Sequence, residues 1–582
     1  MDARLAETFV GVVQRHAEAL GDKEAFAFLR DMSGSDFDDV ITFRELDVQA
    51  RVTAGWLSRR AEPGDRVLLC FPPGLDFIAG FLGCLYAGMV AVPAPMPEGF
   101  SSSEDRVNKI AQDAEIAVAL SDATHVSAVG TWLENRLGRG VSCGAVRAMD
   151  SAEADSQKVP EISGDTLALL QYTSGSTSDP KGVMITHRNL LSNMDLISEC
   201  VGGGTDTRGI GWLPVIHDMG LIGQVLWTLS VGGWAVLSSP TEFLRRPYRW
   251  LELIDELKLT FTAAPNFAYE LCTRTVPEAR VARLDLSSWR VSFNGAEPIE
   301  PDVLAGFAEK FAPAGFRAET FLPCYGLAEA TLLVSGRRKD TRYVLSAVDA
   351  TSLAQGAFVL AEPGPGTREL VGSGIFDRAR VSICDPRTGK ALPDGRVGEV
   401  WVRGASIAQG YWRQADLTSE AFGQSVGDRD GYFRTGDLGV IHEDELYITG
   451  RLKEVLIVRG RNLYPQDLER STRAADARLA RGAGVVFALD DLPGELILVQ
   501  EVRPRGLTEQ DYRNLAGAVR RTLVREYGIP APTVVFVGPG AVSRTTSGKI
   551  QRSSMKQLFS GSLLKPLHEE ATDALAAYRE RD

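Results

Sequence analysis

Along the first half of the chain, stretches with apolar residues at helical spacing alternate with short unbroken apolar runs. Phe43–Arg60 is amphipathic, Arg66–Phe71 is a short apolar run, and the charge-free stretch Phe77–Met96 follows. A 3.6-residue period predicts a helix with one buried face, whereas a short unbroken run predicts a strand buried on both faces. Phe77–Met96 has 20 residues, long enough on paper to span a bilayer. Its three glycines, Pro93 and Pro95 predict something else: a buried helix near Phe77–Ala87, a stop at Gly88 and a strand over Met89–Val92.

The alternation continues through a strand at Thr166–Gln171, helices at Asn189–Ser198 and Leu221–Ser230, a strand at Trp234–Leu237 and a helix at Trp250–Leu257. Strands separated by helices imply a parallel sheet covered on both faces. The expected class is therefore α/β, with a large N-terminal domain of parallel or mixed sheets under helices. Two segments break the rhythm. Residues 337–371 carry short strand-like pieces and a Gly-Pro cluster, as an inserted excursion would. Near Gly450–Lys453 the charge balance flips and a fresh βαβ-like segment begins, which sets the expected domain boundary between residues 1–449 and 450–582.

Charge narrows the function. The 582 residues carry 63 basic and 76 acidic side chains, a net charge of −13 that repels a nucleic acid at long range. Residues 451–582 are an exception, with 21 basic and 16 acidic groups. The seven cysteines are odd in number, far apart and without metal-ligand spacing, so reduced thiols in a cytoplasmic protein are expected. The start, MDARLAETF, shows no basic segment leading into an apolar one, and no secretory signal is expected.

Candidate chemistry begins after the apolar strand Leu167–Gln171, in the loop YTSGSTSDPKG from Tyr172 to Gly182. Gly175 allows backbone N–H groups close to phosphate oxygens, the hydroxyls of Thr173, Ser174, Ser176 and Thr177 can donate, and Lys181 adds a point charge. Pro180 stands where the common nucleotide-triphosphatase loop requires its second glycine, so this is a different phosphate cradle or a polar surface turn. Gly140–Gly144 fits the hydrolase pattern G-x-S-x-G, but the charged run TWLENRLGRG precedes it where a nucleophile elbow needs a strand.

The loop resembles the phosphate-binding motif of the adenylate-forming superfamily of acyl-CoA synthetases, nonribosomal adenylation domains and luciferases. Six further segments follow in that superfamily's order: WLPVIHDMG (212–220), NGAEP (294–298), YGLAEAT (325–331), YFRTGDLG (432–439), GRLKEVLIVRGRNLYPQDLE (450–469) and SRTTSGK (543–549). WLPVIHDMGLIG and the extra segment 337–371 look most like the fatty acyl-AMP ligases, which adenylate a fatty acid with ATP and pass it to the phosphopantetheine arm of an acyl carrier protein. Acyl-CoA synthetases make the same adenylate without such an insertion, and a non-catalytic paralogue is a further alternative.

The resemblance implies roles position by position. Lys549 would touch both the carboxylate and the α-phosphate, and Glu329 would hold Mg²⁺ with help from Thr173. Tyr325 would stack on adenine, with Asn294, Gly295, Ala296 and Glu297 lining the base pocket and Gly326 beside it; Asp437 would hold the ribose hydroxyls with Arg451 assisting. His217 and Asp218 sit where the family approaches the acyl carboxylate, and His217 is either catalytic or a structural histidine. Trp212, Met219 and Leu327 are walls of an acyl tunnel or simply core. Lys453 falls at the hinge about which a small, mobile α+β domain would rotate. In that family the insertion packs against the body and hinders the rearrangement used for CoA, and Tyr343–Leu345 with Phe358–Leu360 would supply the anchoring face. Ser543 departs from the usual proline.

Overall fold

The structure, a computed structural model, describes residues 7–34, 36–97, 101–156, 160–173, 180–375, 377–458, 461–492, 494–544 and 548–580; the side chains of 101–104 and 156 are also left aside. Helix Phe43–Ser58 starts at Thr42 in a reciprocal cap, the hydroxyl accepting from Glu45 N–H and the Glu45 carboxylate accepting from Thr42 N–H. Strand Arg66–Cys70, helix Asp76–Tyr86 and strand Val90–Ala94 then follow, within a few residues of the expected bounds. Every residue from Phe77 to Tyr86 is buried, so the charge-free stretch belongs to the protein core.

These strands enter a six-stranded sheet in the order Ser142–Ala145, Val118–Ser121, Arg66–Cys70, Val90–Ala94, Leu167–Thr173, Lys181–Thr186. The last pair is antiparallel and sets Thr173 opposite Lys181. A second, eight-stranded sheet carries the parallel neighbours Phe261–Ala264, Val291–Asn294 and Phe321–Gly326. The parallel strands of both sheets end beside the candidate site, as ligand sites in open α/β sheets do. A third sheet is built round the long strand Arg429–His442, whose antiparallel partner Glu445–Arg451 sets Asp437 opposite Arg451.

Beyond residue 456 the chain packs a four-stranded sheet, with Gly484–Ala488, Leu496–Glu501, Thr533–Val537 and Pro566–Glu570 adjacent in that order. Leu468, Leu498, Val519 and Phe536 close an apolar cluster drawn from this part of the chain. The excursion at 337–371 forms the antiparallel strands Leu345–Asp349 and Thr367–Val371 with the short helix Ala350–Ala354 between them. Of its expected anchoring face, Tyr343 and Phe358 are buried, whereas Leu345, Val359 and Leu360 are exposed. The segment also reaches the C-terminal part: Arg368 pairs with Asp467 at 3.1 Å and lies over the Tyr464 ring at 4.8 Å.

One expected helix has a different form. Met219–Leu226 is π-helical and turns α-helical over Trp227–Ser230. Gly220 permits this turn, since a Cβ there would lie 2.3 Å from the Pro214 carbonyl oxygen. Among the described residues no helix is long and apolar enough to cross a membrane. All seven cysteines are free.

Candidate functional site

One cavity of about 810 Å³ collects side chains from segments far apart in sequence. Thr173, Lys181, Asp218, Met219, Ala296, Tyr325, Gly326, Leu327 and Glu329 face it from the large part, joined by Asp437, Arg451, Lys453 and Lys549. Ser174, Gly175, Ser176 and Thr177 lie outside the described residues. The remaining expected positions are set back from this wall.

Asp437 is held by its strand and by its neighbours. The Thr435 hydroxyl accepts from Asp437 N–H at 3.0 Å, and the buried Glu399 carboxylate braces the turn by accepting from Gly436 N–H at 3.2 Å and pairing with Arg434 at 2.9 Å. The Tyr325 hydroxyl donates to Asp437 Oδ2 at 2.7 Å, and Arg451 Nε approaches Oδ1 at 3.2 Å. Burial and the Asp437 carboxylate push the Tyr325 phenol well above its ordinary range, so the hydroxyl stays protonated and keeps donating.

The strand Phe321–Gly326 runs into a short 3-10 turn, Ala328–Ala330, that presents Glu329. Close approach fixes this turn: a Cβ on Gly326 would sit 1.9 Å from the Leu332 carbonyl oxygen. Thr331, at φ 69°, is held by its hydroxyl donating to Ser406 O at 2.6 Å. Glu329 accepts from the Tyr411 hydroxyl at 2.9 Å, and Lys181 Nζ lies 5.2 Å from the centre of the same Tyr411 ring. Burial raises the Glu329 pKa, opposed chiefly by hydrogen bonding.

Next to Glu329's strand, Asn294 ends its own strand with Oδ1 buried and without a hydrogen-bond partner, while Ala296 takes the left-handed conformation at φ 70°. Gly295 packs against Cys324, and Glu297 accepts from Phe267 N–H at 2.7 Å. Burial pushes the Glu297 carboxyl up to about 7.

Lys549 arrives from the C-terminal part. Its loop is closed by a bridge between Arg544 and Ile550 and by Gln551 N–H donating to Ser543 O at 2.9 Å. Gly548, at φ 88°, rests near the Phe267 ring of the large part. Ser543 N–H lies 3.1 Å from Met555 Sδ, a contact that proline has no N–H to make. His217 carries a pKa pushed down to about 3, by burial first and then by the cations Arg106 and Lys549, so its imidazole is neutral at physiological pH. Asp218 caps the π-helix by accepting from Met219 N–H at 2.8 Å. Trp212 stacks on Phe243 at 3.9 Å and is 2% exposed, so its indole sits in the aromatic core and Met219 faces the cavity instead.

Sequence reasoning missed Tyr411, Arg106 and Lys109. Tyr411 stands 82 residues from its Glu329 partner, and no local pattern signals that contact. Arg106 and Lys109 belong to helix Ser101–Asp113, whose polar composition reads as a solvated face.

Comparison with known proteins supplies the rest. The family model for AMP-binding enzymes matches residues 13–412. The medium-chain-fatty-acid–[acyl-carrier-protein] ligase JamA of Moorena producens is 36% identical over 565 residues, covering 95% of this chain and 95% of that protein. Its counterpart TtuA of Teredinibacter turnerae is 33% identical, covering 95% and 93%. The solved fatty acyl-adenylate ligase of L. pneumophila, in complex with acyl adenylate and pyrophosphate, superposes with a TM-score of 0.74 at 34% identity over 97% of this chain and 98% of that one.

Proposed function

This chain belongs to the AMP-binding enzyme family, among the fatty acyl-AMP ligases, and on that premise we propose that it joins a fatty acid to ATP as an acyl-adenylate and then passes the acyl group to an acyl carrier protein. In the first step a carboxylate oxygen attacks the α-phosphorus, the bond to the β-phosphate breaks and its electron pair leaves on pyrophosphate. In the second, the phosphopantetheine sulfur attacks the acyl carbon, the mixed-anhydride C–O bond breaks and AMP departs. The observation that carries this reading is the convergence of Lys549 with Glu329, Asp437 and Lys181 on one cavity.

The first step brings two anions together. At 4 Å and an effective dielectric of 20 their repulsion is about 4 kcal/mol, roughly a thousandfold in rate. Lys549 supplies the cation that offsets it. Asp437 accepts from the ribose hydroxyls, Tyr325 packs on adenine, and the unpartnered Asn294 Oδ1 is an acceptor suited to the adenine amino group. Lys181 meets the outer phosphates, Asp218 and Met219 border the acyl carboxylate, and neutral His217 adds no charge beside it.

Glu329 and Thr173 would hold Mg²⁺. Among the described residues no cluster of three or more metal-binding side chains exists, which fits a hard ion carried mostly by substrate phosphates and one carboxylate. When bound, Mg²⁺ supplies positive charge to the phosphate oxygens.

Residues 450–582 form the small domain of this reading and Lys453 its hinge, with rotation withdrawing Lys549 after adenylation. The contacts of the inserted segment with Asp467 and Tyr464 favour a carrier-protein acceptor, since they tie the small domain to the body in its adenylating position. A cytoplasmic location is part of this reading, supported by free cysteines that a reducing compartment would keep reduced. The test offers the enzyme ATP, Mg²⁺ and a fatty acid, then CoA or phosphopantetheinylated carrier protein in separate reactions. Acyl-carrier protein should dominate; efficient acyl-CoA formation would reassign the chain to the acyl-CoA synthetases.

A further inference from the structure

The cavity wall contains a cation that the reaction described above does not use. Arg106 lies on helix Ser101–Asp113 and faces the cavity, and Lys109, three residues later, faces it from the same side of the helix. Val107 and Ile110 point into the core instead and fix the helix's rotation. Arg106 makes no hydrogen bond or ion pair with any described residue, and its Nε is buried without a partner. The other arginines of the cavity differ: Arg434 pairs with Glu399 at 2.9 Å, Arg451 with Asp437 at 3.2 Å and Arg552 with Glu469 at 2.6 Å. A desolvated guanidinium without a counter-charge among the described residues is costly to maintain, and an anionic ligand removes the cost.

The helix's attachment says which end of the ligand that anion occupies. Asp113 accepts from the Tyr172 hydroxyl at 2.5 Å through its carboxylate and from Trp412 Nε1 at 3.2 Å through its carbonyl. Tyr172 immediately precedes Thr173, so the helix is moored to the strand that opens the phosphate loop. Arg106 faces the same cavity as Thr173, Lys181 and Lys549.

We infer that Arg106, with Lys109 beside it, forms a phosphate-binding subsite at this end of the cavity. A planar guanidinium suits paired phosphate oxygens and the lysine adds a point charge. The phosphate belongs either to the pyrophosphate half of ATP or to the phosphopantetheine arm. This inference rests on the adenylating reading of the same cavity.

Arg106→Gln and Arg106→Lys separate the sources. If the group is pyrophosphate, Arg106→Gln raises the KM for pyrophosphate in ATP synthesis from acyl-adenylate at least tenfold, about 1.4 kcal/mol, and abolishes the rise in melting temperature that pyrophosphate gives the parent. Acyl transfer then stays within twofold. If the group is the arm's phosphate, transfer from supplied acyl-adenylate to phosphopantetheine falls at least tenfold, while transfer to pantetheine, which lacks the phosphate, is unchanged. Arg106→Lys recovers part of either loss. The ligand-free melting temperature of Arg106→Gln should equal or exceed the parent's, which separates lost binding from lost folding. Parent-like constants in every arm, or a rise confined to the KM for fatty acid, overturns the subsite. A parent that makes no acyl-adenylate at all overturns the broader reading instead.

Discussion

The two ends of the cavity handle charge in opposite ways. At the nucleoside end Asp437 already sits between the Tyr325 hydroxyl at 2.7 Å and Arg451 at 3.2 Å, on a turn braced by Glu399. At the phosphate end Lys181 faces an aromatic ring, and Arg106 pairs with no described residue. The first end is assembled before a ligand arrives, so it fixes orientation at little reorganisation cost. Among the described residues the second lacks such partners, so on the proposed reading the polyanionic part of the ligand gains most of its attraction there. Positioning and charge compensation are therefore carried by different residues, and substitutions should separate them.

Lys549→Ala has the largest expected effect. Removing the cation that the proposed function puts between carboxylate and α-phosphate should slow ATP–pyrophosphate exchange by about a thousandfold. Transfer from supplied acyl-adenylate should stay within a few-fold, and equal loss of both steps would count against separate conformations for the two half-reactions. Asp437→Asn acts at the other end. It should raise the KM for ATP by roughly ten- to a hundredfold, the span of a charge-assisted hydrogen bond, with a smaller change in kcat. A collapse of kcat at unchanged KM would erase the distinction between the ends.

Tyr411→Phe is milder. It removes the hydroxyl donated to Glu329 and should lower the rate about fivefold at limiting Mg²⁺, the worth of one hydrogen bond of about 1 kcal/mol. Saturating Mg²⁺ should recover most of it. The smallest effect concerns pH. Glu297's folded-state pKa, pushed up to about 7, exceeds its unfolded value, so the folded protein binds the proton more tightly. That contribution to stability is full below pH 4.5 and is lost as pH rises through about 7. Glu297→Gln should therefore melt about 1–2 °C higher than the parent at pH 8 and no higher at pH 5, as thermal denaturation would show.

Much of this arrangement was legible in the sequence because it is local. The helix at Phe43–Ser58, the buried strands and the fully buried helix after Asp76 follow from periodicity and glycine or proline stops. The resemblance to the adenylate-forming superfamily pointed to Glu329, Asp437 and Lys549, which the fold gathers on one cavity. What periodicity misses is the hydrogen-bond register: Met219–Leu226 is apolar throughout, and such a run does not distinguish α from π turns. Trp212 was equally consistent with a tunnel wall or the core, and only its stacking on Phe243 places it. Tyr411 meets Glu329 across 82 residues and Arg106 reaches the cavity from a distant helix, where a single chain offers no signal. Ser543 departs from the usual proline, and its N–H makes a contact with Met555 that proline lacks.

The central claim is that a fatty-acid carboxylate oxygen becomes bonded to the α-phosphorus of ATP. It is tested by supplying fatty acid labelled with heavy oxygen in its carboxylate, allowing transfer to carrier protein, and weighing the released AMP. One labelled oxygen per AMP is the predicted result. Unlabelled AMP, or ADP in its place, would contradict the account.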